Sequence, residues 1–205
     1  MLRFATPQDA PGLLEIYAPY VTGTIVSFEY DVPTLEEFAR RIQDTTARFP
    51  YLVWEEDGAL LGYAYAHPYA ARPAYQWSAE LTVYLRQGAA RRGLGSRLYG
   101  ALFDLLRLQG VRTVYGCVTA ENAPSVAFHQ ALGFREAGRF SQVGYKHGRW
   151  LTCSGWKSPS PPPGSPSPWC PSPRWKKRPP PRCSAAGGKL APNTAIYAGF
   201  CPAFP

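Results

Sequence analysis

An abrupt change of composition after Leu151 most constrains what this chain can fold into. Fourteen of the 22 prolines fall in residues 152–205, and all 14 acidic residues lie before Leu151. Residues 152–205 also carry seven Lys and Arg and no acid, which accounts for most of the formal net charge of +8. A segment with this composition buries too little apolar surface to fold. We therefore predict a folded domain over residues 1–151 and a disordered, proline-rich, basic tail over residues 152–205.

The charge and cysteine patterns of the folded part exclude several classes of protein. Because residues 1–151 are nearly neutral, neither nucleic acid nor an anionic membrane is an expected partner. The N-terminus lacks the basic start and apolar run of a signal peptide, and no stretch is long enough to span a bilayer. Cys117 is the one cysteine before residue 151, and the four tail cysteines lack the paired spacing of zinc sites. We expect a cytoplasmic protein without a metal.

Residues 1–151 read as strands and helices with clear end signals. Thr6 and Thr34 each precede a helical pattern and are followed three residues later by an acid, as in a capping box. Asp57-Gly58 stands between two apolar runs and predicts a hairpin. The order is strand, two helices, three strands, helix, strand, helix and a strand pair. This order predicts an α/β (α+β) fold with one mixed sheet and helices on its faces.

The stretch "VYLRQGAARRGLGSRL" predicts a strand, a glycine-bearing loop and the start of a helix. Backbone N–H groups at a helix N-terminus bind anions, and the glycines let a phosphate approach the main chain. The spacing is neither that of a dinucleotide-binding fingerprint nor that of a Walker loop. A tight turn without a ligand is an equally good interpretation of the loop taken alone.

Two further stretches give this loop a family context. "RRGLGSRL" before an amphipathic helix, followed by "NAPSVAFHQALGF", resembles the acetyl-CoA-dependent N-acetyltransferases of the GNAT superfamily. "ARPAYQWSAELTVYL", "GLGSRLY" and "GYKHGRW" are similar to the phosphinothricin and methionine sulfoximine acetyltransferases within it. The resemblance implies a single, mixed, mostly antiparallel sheet flanked by helices, with acetyl-CoA as co-substrate and a small amino-acid-like amine as acceptor. Members of this family often form homodimers.

The activity that the resemblance implies has two alternatives. One is a module that binds acyl-CoA without catalysis. The other is an N-acetyltransferase for a different small amine.

Glu80 and His129 are the candidate catalytic residues. Strand alternation puts Glu80 on one face with Thr82 and Tyr84, and a carboxylate on a largely apolar strand is costly unless it is paired or functional. The resemblance makes Glu80 the general base; the alternative is a salt bridge to Arg72 or Lys146. It makes His129 the acid that protonates the leaving thiolate, although an isolated histidine is more often structural.

The resemblance also implies which residues bind the two substrates. Acetyl-CoA would contact Val83, Tyr84, Leu85, Arg91, Arg92, Gly93, Leu94, Gly95, Ser96 and Asn122. The acceptor would contact Phe28, Arg72, Tyr75 and Lys146. Tyr75 could equally belong to the core, and Asn122 has an alternative role as a helix N-cap.

The family closes its sheet with a strand of the kind "LDVxWMEKPL", where this chain reads "LTCSGWKSPS". One coding sequence for the latter becomes "LDVFWMEKPL" when a single base is inserted after the Leu151 codon. We hypothesise that residues 152–205 are translated out of frame; the alternative is a genuine proline-rich segment that binds partner domains. Gly155 and the lack of β-branched apolar residues predict that "LTCSGWK" is a poor strand.

Overall fold

Seven strands form one sheet in the order β1-β2-β3-β4-β5-β7-β6 in this computed structural model, which describes residues 1–159. The strands are β1 (Leu2–Phe4), β2 (Tyr51–Glu56), β3 (Ala59–Pro68), β4 (Ser78–Leu85), β5 (Thr113–Thr119), β6 (Arg135–Lys146) and β7 (Arg149–Lys157). The helices are α1 (Ala10–Gly23), α2 (Leu35–Arg48), α3 (Leu94–Gln109) and α4 (Ala123–Ala131). Only β4 and β5 run parallel among the paired strands of this part of the chain. The predicted mixed, mostly antiparallel sheet is confirmed.

The element ends follow the local signals in the sequence. Thr6 and Asp9 form the predicted capping box before α1, and the Thr34 hydroxyl accepts from the Glu37 amide at 3.2 Å at the start of α2. Asp57 and Gly58 adopt positive φ angles of 50° and 77° in the β2–β3 turn. Both angles suit a two-residue hairpin turn, which turns the chain back so that β3 pairs with β2.

Apolar side chains pack on both faces of the sheet. The larger cluster lies under α3 and α4 and includes Leu98, Leu102 and Val114. The second lies under α1 and α2 and includes Leu13, Ile42 and Tyr63. The sheet is therefore the middle of three layers, and a residue's position along a strand decides which helix pair it faces.

The parallel pair β4–β5 separates partway along its length. Its register runs through Ser78 with Thr113, Ala79 with Val114 and Glu80 with Tyr115, and ends there. Strand β4 nevertheless continues to Leu85 and β5 to Thr119. The edge of β4 that faces β5 is therefore unpaired with β5 beyond Glu80.

Strand β7 differs from the poor strand that its composition predicts. It pairs with β5 on one side and β6 on the other, and it buries Leu151, Cys153 and Trp156. Main-chain bonding to two neighbours overrides a weak intrinsic preference, because β propensity depends strongly on context. One cost remains visible: the buried indole N–H of Trp156 has no acceptor within the described residues, whereas the buried Ser154 hydroxyl donates to the Glu136 carboxylate at 2.8 Å.

The predicted domain boundary between residues 151 and 152 falls inside β7. Order continues through Lys157, the last residue of that strand. The predicted disordered tail therefore lies outside the described residues from position 160 onward. The hypothesis that residues 152–205 are translated out of frame is not tested by this structure.

Candidate active site

Glu80 lies at the last register position before β4 and β5 separate. Its neighbours across the sheet are His67 on β3 and Tyr115 on β5. The Glu80 side chain is 16% exposed, and its Oε1 atom lies 3.9 Å from His67 Nε2. Within residues 1–159, no side chain donates a hydrogen bond to this carboxylate. Glu80 is thus a nearly buried carboxylate whose neighbouring basic side chain is the His67 imidazole.

Burial raises the pKa of the Glu80 carboxyl above its ordinary value, and a positive charge on His67 opposes this rise. A carboxylate with a raised pKa is a stronger base, which suits the removal of a proton from an amine. The alternative of an ion pair with Arg72 or Lys146 does not hold, because the basic side chain beside Glu80 is the His67 imidazole at 3.9 Å, and Lys146 donates to backbone carbonyls instead. Sequence reasoning missed His67, whose position is visible only through the β3–β4 register.

His129 lies on α4, on the opposite face of the sheet. The side chain is 3% exposed, and its Nδ1 atom lies 2.8 Å from the Ser125 carbonyl oxygen. A carbonyl can only accept, so Nδ1 carries a proton. Burial lowers the pKa of His129, and the Ser125 carbonyl partly opposes this shift. The neutral ring therefore presents an unprotonated Nε2.

That Nε2 atom is close to β5 and to Tyr99. It lies 2.5 Å from the position of an ideal Cβ on Gly116, so the absence of a side chain there admits the imidazole. The Tyr99 hydroxyl lies 3.5 Å from Nε2 and donates to the Leu81 carbonyl at 3.3 Å. Sequence reasoning also missed Tyr99, which stands next to the leucine stripe of α3 and reads as an ordinary core residue.

The two candidate catalytic residues both lie near the point where β4 and β5 separate, on opposite faces of the sheet. Glu80 is the register partner of Tyr115, and His129 packs on Gly116, the next residue of β5. Glu80 lies on the face of the sheet covered by α1 and α2, whereas His129 lies on the face covered by α3 and α4. A group held between the separated strands would therefore meet a carboxylate from one face and an imidazole from the other.

The glycine-bearing loop between β4 and α3 leads into a helix N-terminus, a place where anions commonly bind. Gly93 adopts a φ of 74° at the N-cap of α3, and the first N–H groups of a helix have no partner within it. Gly95 packs against the Phe128 ring, which lies 3.2 Å from an ideal Cβ. Ser96 is exposed and Leu94 is buried. The main chain of this turn leaves N–H groups at the start of the helix without intrahelical partners, and their contact with a pyrophosphate stays a prediction.

The two loop arginines are placed differently. Arg92 donates to the Glu56 carboxylate at 2.5 Å, so its charge is already balanced. Arg91 is exposed with a φ of 64°, and no ion pair of the described chain includes it. Arg91 is thus the better candidate for a phosphate contact.

The remaining cofactor candidates offer mainly backbone groups. Val83 and Leu85 point into the core under α3, whereas the Tyr84 ring packs on Tyr20 at 5.0 Å. Their main chain lies on the β4 edge that β5 leaves unpaired. Asn122 caps α4, and its side-chain oxygen accepts from the Ser125 amide at 3.3 Å. The structure thus shows the N-cap role of Asn122; cofactor contact stays a prediction.

The acceptor candidates are spread over a wider area. The Phe28 ring lies directly on Gly144 of β6. Tyr75 lies 6.0 Å from Tyr69, which stacks at 4.3 Å on Tyr115, the neighbour of Glu80. Arg72 is exposed at the start of a short 3-10 turn. Aromatic rings therefore extend outward from Glu80 through Tyr115, which sequence reasoning did not single out.

Lys146 departs from its expected role as an anion ligand. Its ammonium donates to the carbonyls of Val21 at 2.7 Å and Ser27 at 2.6 Å, and the residue is buried. Desolvation lowers the pKa of Lys146, and Glu29 opposes the shift. Lys146 therefore joins β6 to the last turn of α1 and to the segment after it, because backbone carbonyls rather than a substrate anion satisfy its charge.

Residues 1–159 contain neither a candidate membrane span nor a candidate metal-binding cluster. No helix in that part of the chain has the length and hydropathy needed to cross a membrane. No cluster of three or more His, Cys, Asp or Glu side chains there has the arrangement to hold a metal ion.

Comparison with known proteins agrees with this geometry. Residues 2–152 match the acetyltransferase (GNAT) domain family. Phosphinothricin N-acetyltransferase of Streptomyces viridochromogenes is 36% identical over 165 residues, covering 78% of this chain and 90% of the relative. L-methionine sulfoximine/L-methionine sulfone acetyltransferase of Pseudomonas aeruginosa is 35% identical over 155 residues, covering 73% and 88%.

A solved structure gives the same result. The GNAT superfamily phosphinothricin acetyltransferase of Sinorhizobium meliloti, in complex with acetyl-CoA, has a TM-score of 0.75 and 32% identity, covering 82% of this chain and 95% of its own. Together with the separation of the parallel strands β4 and β5, these matches establish that the chain belongs to the GNAT acetyltransferase family.

Proposed function

We propose that this protein transfers the acetyl group of acetyl-CoA to the α-amine of a small amino-acid-like substrate. Phosphinothricin and methionine sulfoximine or sulfone are the first substrates to test, because relatives at 35–36% identity carry those names. The observation that carries the proposal is the position of Glu80 and His129 on either side of the gap between β4 and β5.

Glu80 is the proposed general base. The α-amine of an amino acid is an ammonium near neutral pH, and it must lose a proton before it attacks a carbonyl carbon. A buried carboxylate with a raised pKa accepts that proton, directly or through a water. The resulting neutral carboxyl is better tolerated at this buried position than the charged form.

The unpaired edge of β4 is the proposed binding site for the thioester. Acetyl-CoA supplies an acetyl group bonded to sulfur, and attack by the amine breaks that bond. Backbone N–H groups of alternate residues from Val83 to Leu85 are the proposed donors to the acetyl oxygen, because alternate N–H groups of β4 point away from β3 and β5 does not pair with β4 beyond Glu80. The N-terminus of α3 would bind the pyrophosphate.

His129 is the proposed proton donor to the departing thiolate. The Nδ1 proton is held in the hydrogen bond to the Ser125 carbonyl. The proton that moves to sulfur must therefore come from Nε2, which makes the donating form the imidazolium. The Tyr99 oxygen faces that nitrogen and can accept from it. His129 becomes neutral once the proton has moved to sulfur. The second proton that the attacking nitrogen loses as the amide forms can return through solvent to Nε2 and restore the imidazolium, while Glu80 releases its proton to solvent.

Release of the free CoA thiol tests the proposal directly. Thiol formation from acetyl-CoA would be followed with phosphinothricin and with methionine sulfoximine. A blank without amine corrects for the five cysteines of the protein. We expect turnover that Glu80→Gln lowers by roughly 10²–10⁴-fold, the usual contribution of a general base. Acetyl-CoA binding without turnover on any amine would instead favour a non-catalytic module.

A homodimer and a cytoplasmic location remain predictions from the family resemblance and the sequence. Light scattering on the purified chain measures the first. Fractionation of the producing cell measures the second.

A further inference from the structure

On the face of the sheet that looks toward α1 and α2, two strands away from Glu80, two neighbouring glycines form a floor of bare backbone. Gly155 of β7 pairs in register with Gly138 of β6 on one side and with Cys117 of β5 on the other. Cys117 lies two residues beyond Tyr115, the register partner of Glu80. Since side chains alternate along a strand, all of these positions share the face of Glu80.

Neither glycine of this floor is required by its surroundings. An ideal Cβ on Gly155 would meet nothing closer than the Gly138 carbonyl oxygen at 3.9 Å, and one on Gly138 nothing closer than the Phe140 ring at 3.9 Å. Neither residue is among the positive-φ positions of the described chain. A Cβ would therefore fit at either position, and its absence leaves volume above the backbone on the face where we place the acceptor.

Aromatic rings border this volume. Tyr115, with Tyr69 stacked on it at 4.3 Å, stands on the side of Glu80. Phe140 stands on the opposite side, and beyond it the Phe28 ring covers Gly144. The result is a strip of bare backbone with aromatic rings toward both of its ends, an arrangement that would suit an apolar side chain.

We propose that Gly155 sets the size limit of the acceptor side chain, so that this protein acetylates amino acids with large apolar side chains, aromatic ones included. The inference rests on the proposed function. It concerns this chain in particular, because the strand that a one-base insertion would restore, "LDVFWMEKPL", places a tryptophan at position 155. An indole on β7 at that position would cover the floor.

The test compares kcat/KM for phenylalanine and tryptophan with kcat/KM for methionine sulfoximine. The variants are Gly155→Ala, Gly155→Val and Gly155→Trp. Gly100→Trp is the matched control, because Gly100 lies on the exposed side of α3 with nothing within 4 Å of an ideal Cβ. Thermal unfolding of each variant confirms that it is folded. The Ala and Val variants keep the test informative if Gly155→Trp does not fold.

We expect the unsubstituted chain to acetylate the aromatic amino acids. The ratio of aromatic to methionine sulfoximine kcat/KM should fall progressively from Ala to Val to Trp, by roughly tenfold or more at Trp, the scale at which a pocket discriminates by size. Gly100→Trp should leave the ratio unchanged. An unchanged ratio in the folded Gly155 variants overturns the inference alone. Failure to acetylate any amino acid overturns the proposed function, and this inference with it.

Discussion

The Nε2 atom of His129 lies 2.5 Å from the place where a Cβ on Gly116 would stand. Carbon and nitrogen atoms that are not bonded do not approach so closely, so an alanine at this position must displace the imidazole or the strand. Glycine at position 116 is therefore a condition for the placement of His129 beside the gap between β4 and β5.

Gly116→Ala tests this dependence. We expect the substitution to lower kcat by roughly ten- to a hundredfold, within the usual contribution of an acid–base group, while the protein stays folded. Steady-state kinetics and circular dichroism measure the two effects. Gly100→Ala, on the exposed side of α3, is the control and should change neither. Full activity of Gly116→Ala would show that catalysis does not depend on the present position of the His129 imidazole.

Tyr99→Phe tests whether the tyrosine hydroxyl supports the protonated form of His129. The hydroxyl donates to the Leu81 carbonyl and has a lone pair that faces His129 Nε2. Its removal takes away an acceptor for the imidazolium and should lower the pKa of His129 further. The alkaline limb of the kcat profile should then move to lower pH, because the acid loses its proton earlier.

The chain contains three histidines, so NMR titration of their ring protons can follow His129 directly. A purely structural role for Tyr99 would reduce the unfolding temperature and leave this titration in place.

His67→Asn should move the acidic limb of the kcat/KM profile. A positive charge on His67 lowers the pKa of Glu80, against the larger rise that burial causes. Without that charge the pKa of Glu80 should rise, and since the base must be unprotonated, the acidic limb should shift to higher pH. His147→Asn, at the turn between β6 and β7, provides the matched control. A shift to lower pH would contradict this electrostatic assignment.

The loop arginines should differ in their effect on acetyl-CoA. Arg91→Ala should raise the KM for acetyl-CoA by roughly three- to tenfold, the scale of one charge-assisted hydrogen bond, with little change in kcat. Arg92→Ala should have less than about a twofold effect, because Glu56 already balances the charge of Arg92. Steady-state kinetics at varied acetyl-CoA gives both values. A larger effect at Arg92 would reverse the assignment.

Replacing residues 152–157 (TCSGWK) by DVFWME should stabilise the domain. The exchange removes the buried Trp156 indole N–H, which has no acceptor within the described residues, and it places phenylalanine at the buried position 154 and methionine at position 156. The hydrogen bond that Ser154 donates to Glu136 at 2.8 Å is lost, and this loss offsets part of the gain. We expect a gain of about 2 kcal/mol in the free energy of unfolding, the order of one added apolar side chain in a core. Urea unfolding of both forms measures it. A loss of stability would indicate that the domain has adapted to its present strand.

The elements that could be predicted from sequence are those set by local signals. Helix α2 begins at its expected N-cap, Thr34. Strand alternation correctly placed Glu80 on the face of Tyr84. The misses are contacts between distant positions. His67 reaches Glu80 through the strand register, and Lys146 reaches carbonyls more than a hundred residues earlier. Spacing along the chain gives no information about either partner.

The strand β7 illustrates a second kind of limit. Its residues predict a weak strand when taken alone, and Gly155 in particular disfavours one. The position between β5 and β6 supplies hydrogen-bonding partners on both edges, which is a property of the whole sheet. Tertiary context therefore decides the outcome, as is usual for strands.

The insertion of β7 between β5 and β6 also sets the timing of folding during synthesis. The two strands that flank β7 are made before it, yet neither can reach its final neighbour until Lys157 has left the ribosome. Until then, β5 and β6 expose unpaired edges that can capture another chain. A nascent chain arrested within β7 would hold a sheet in two parts, so the last strand acts as the step that commits the domain to its native topology.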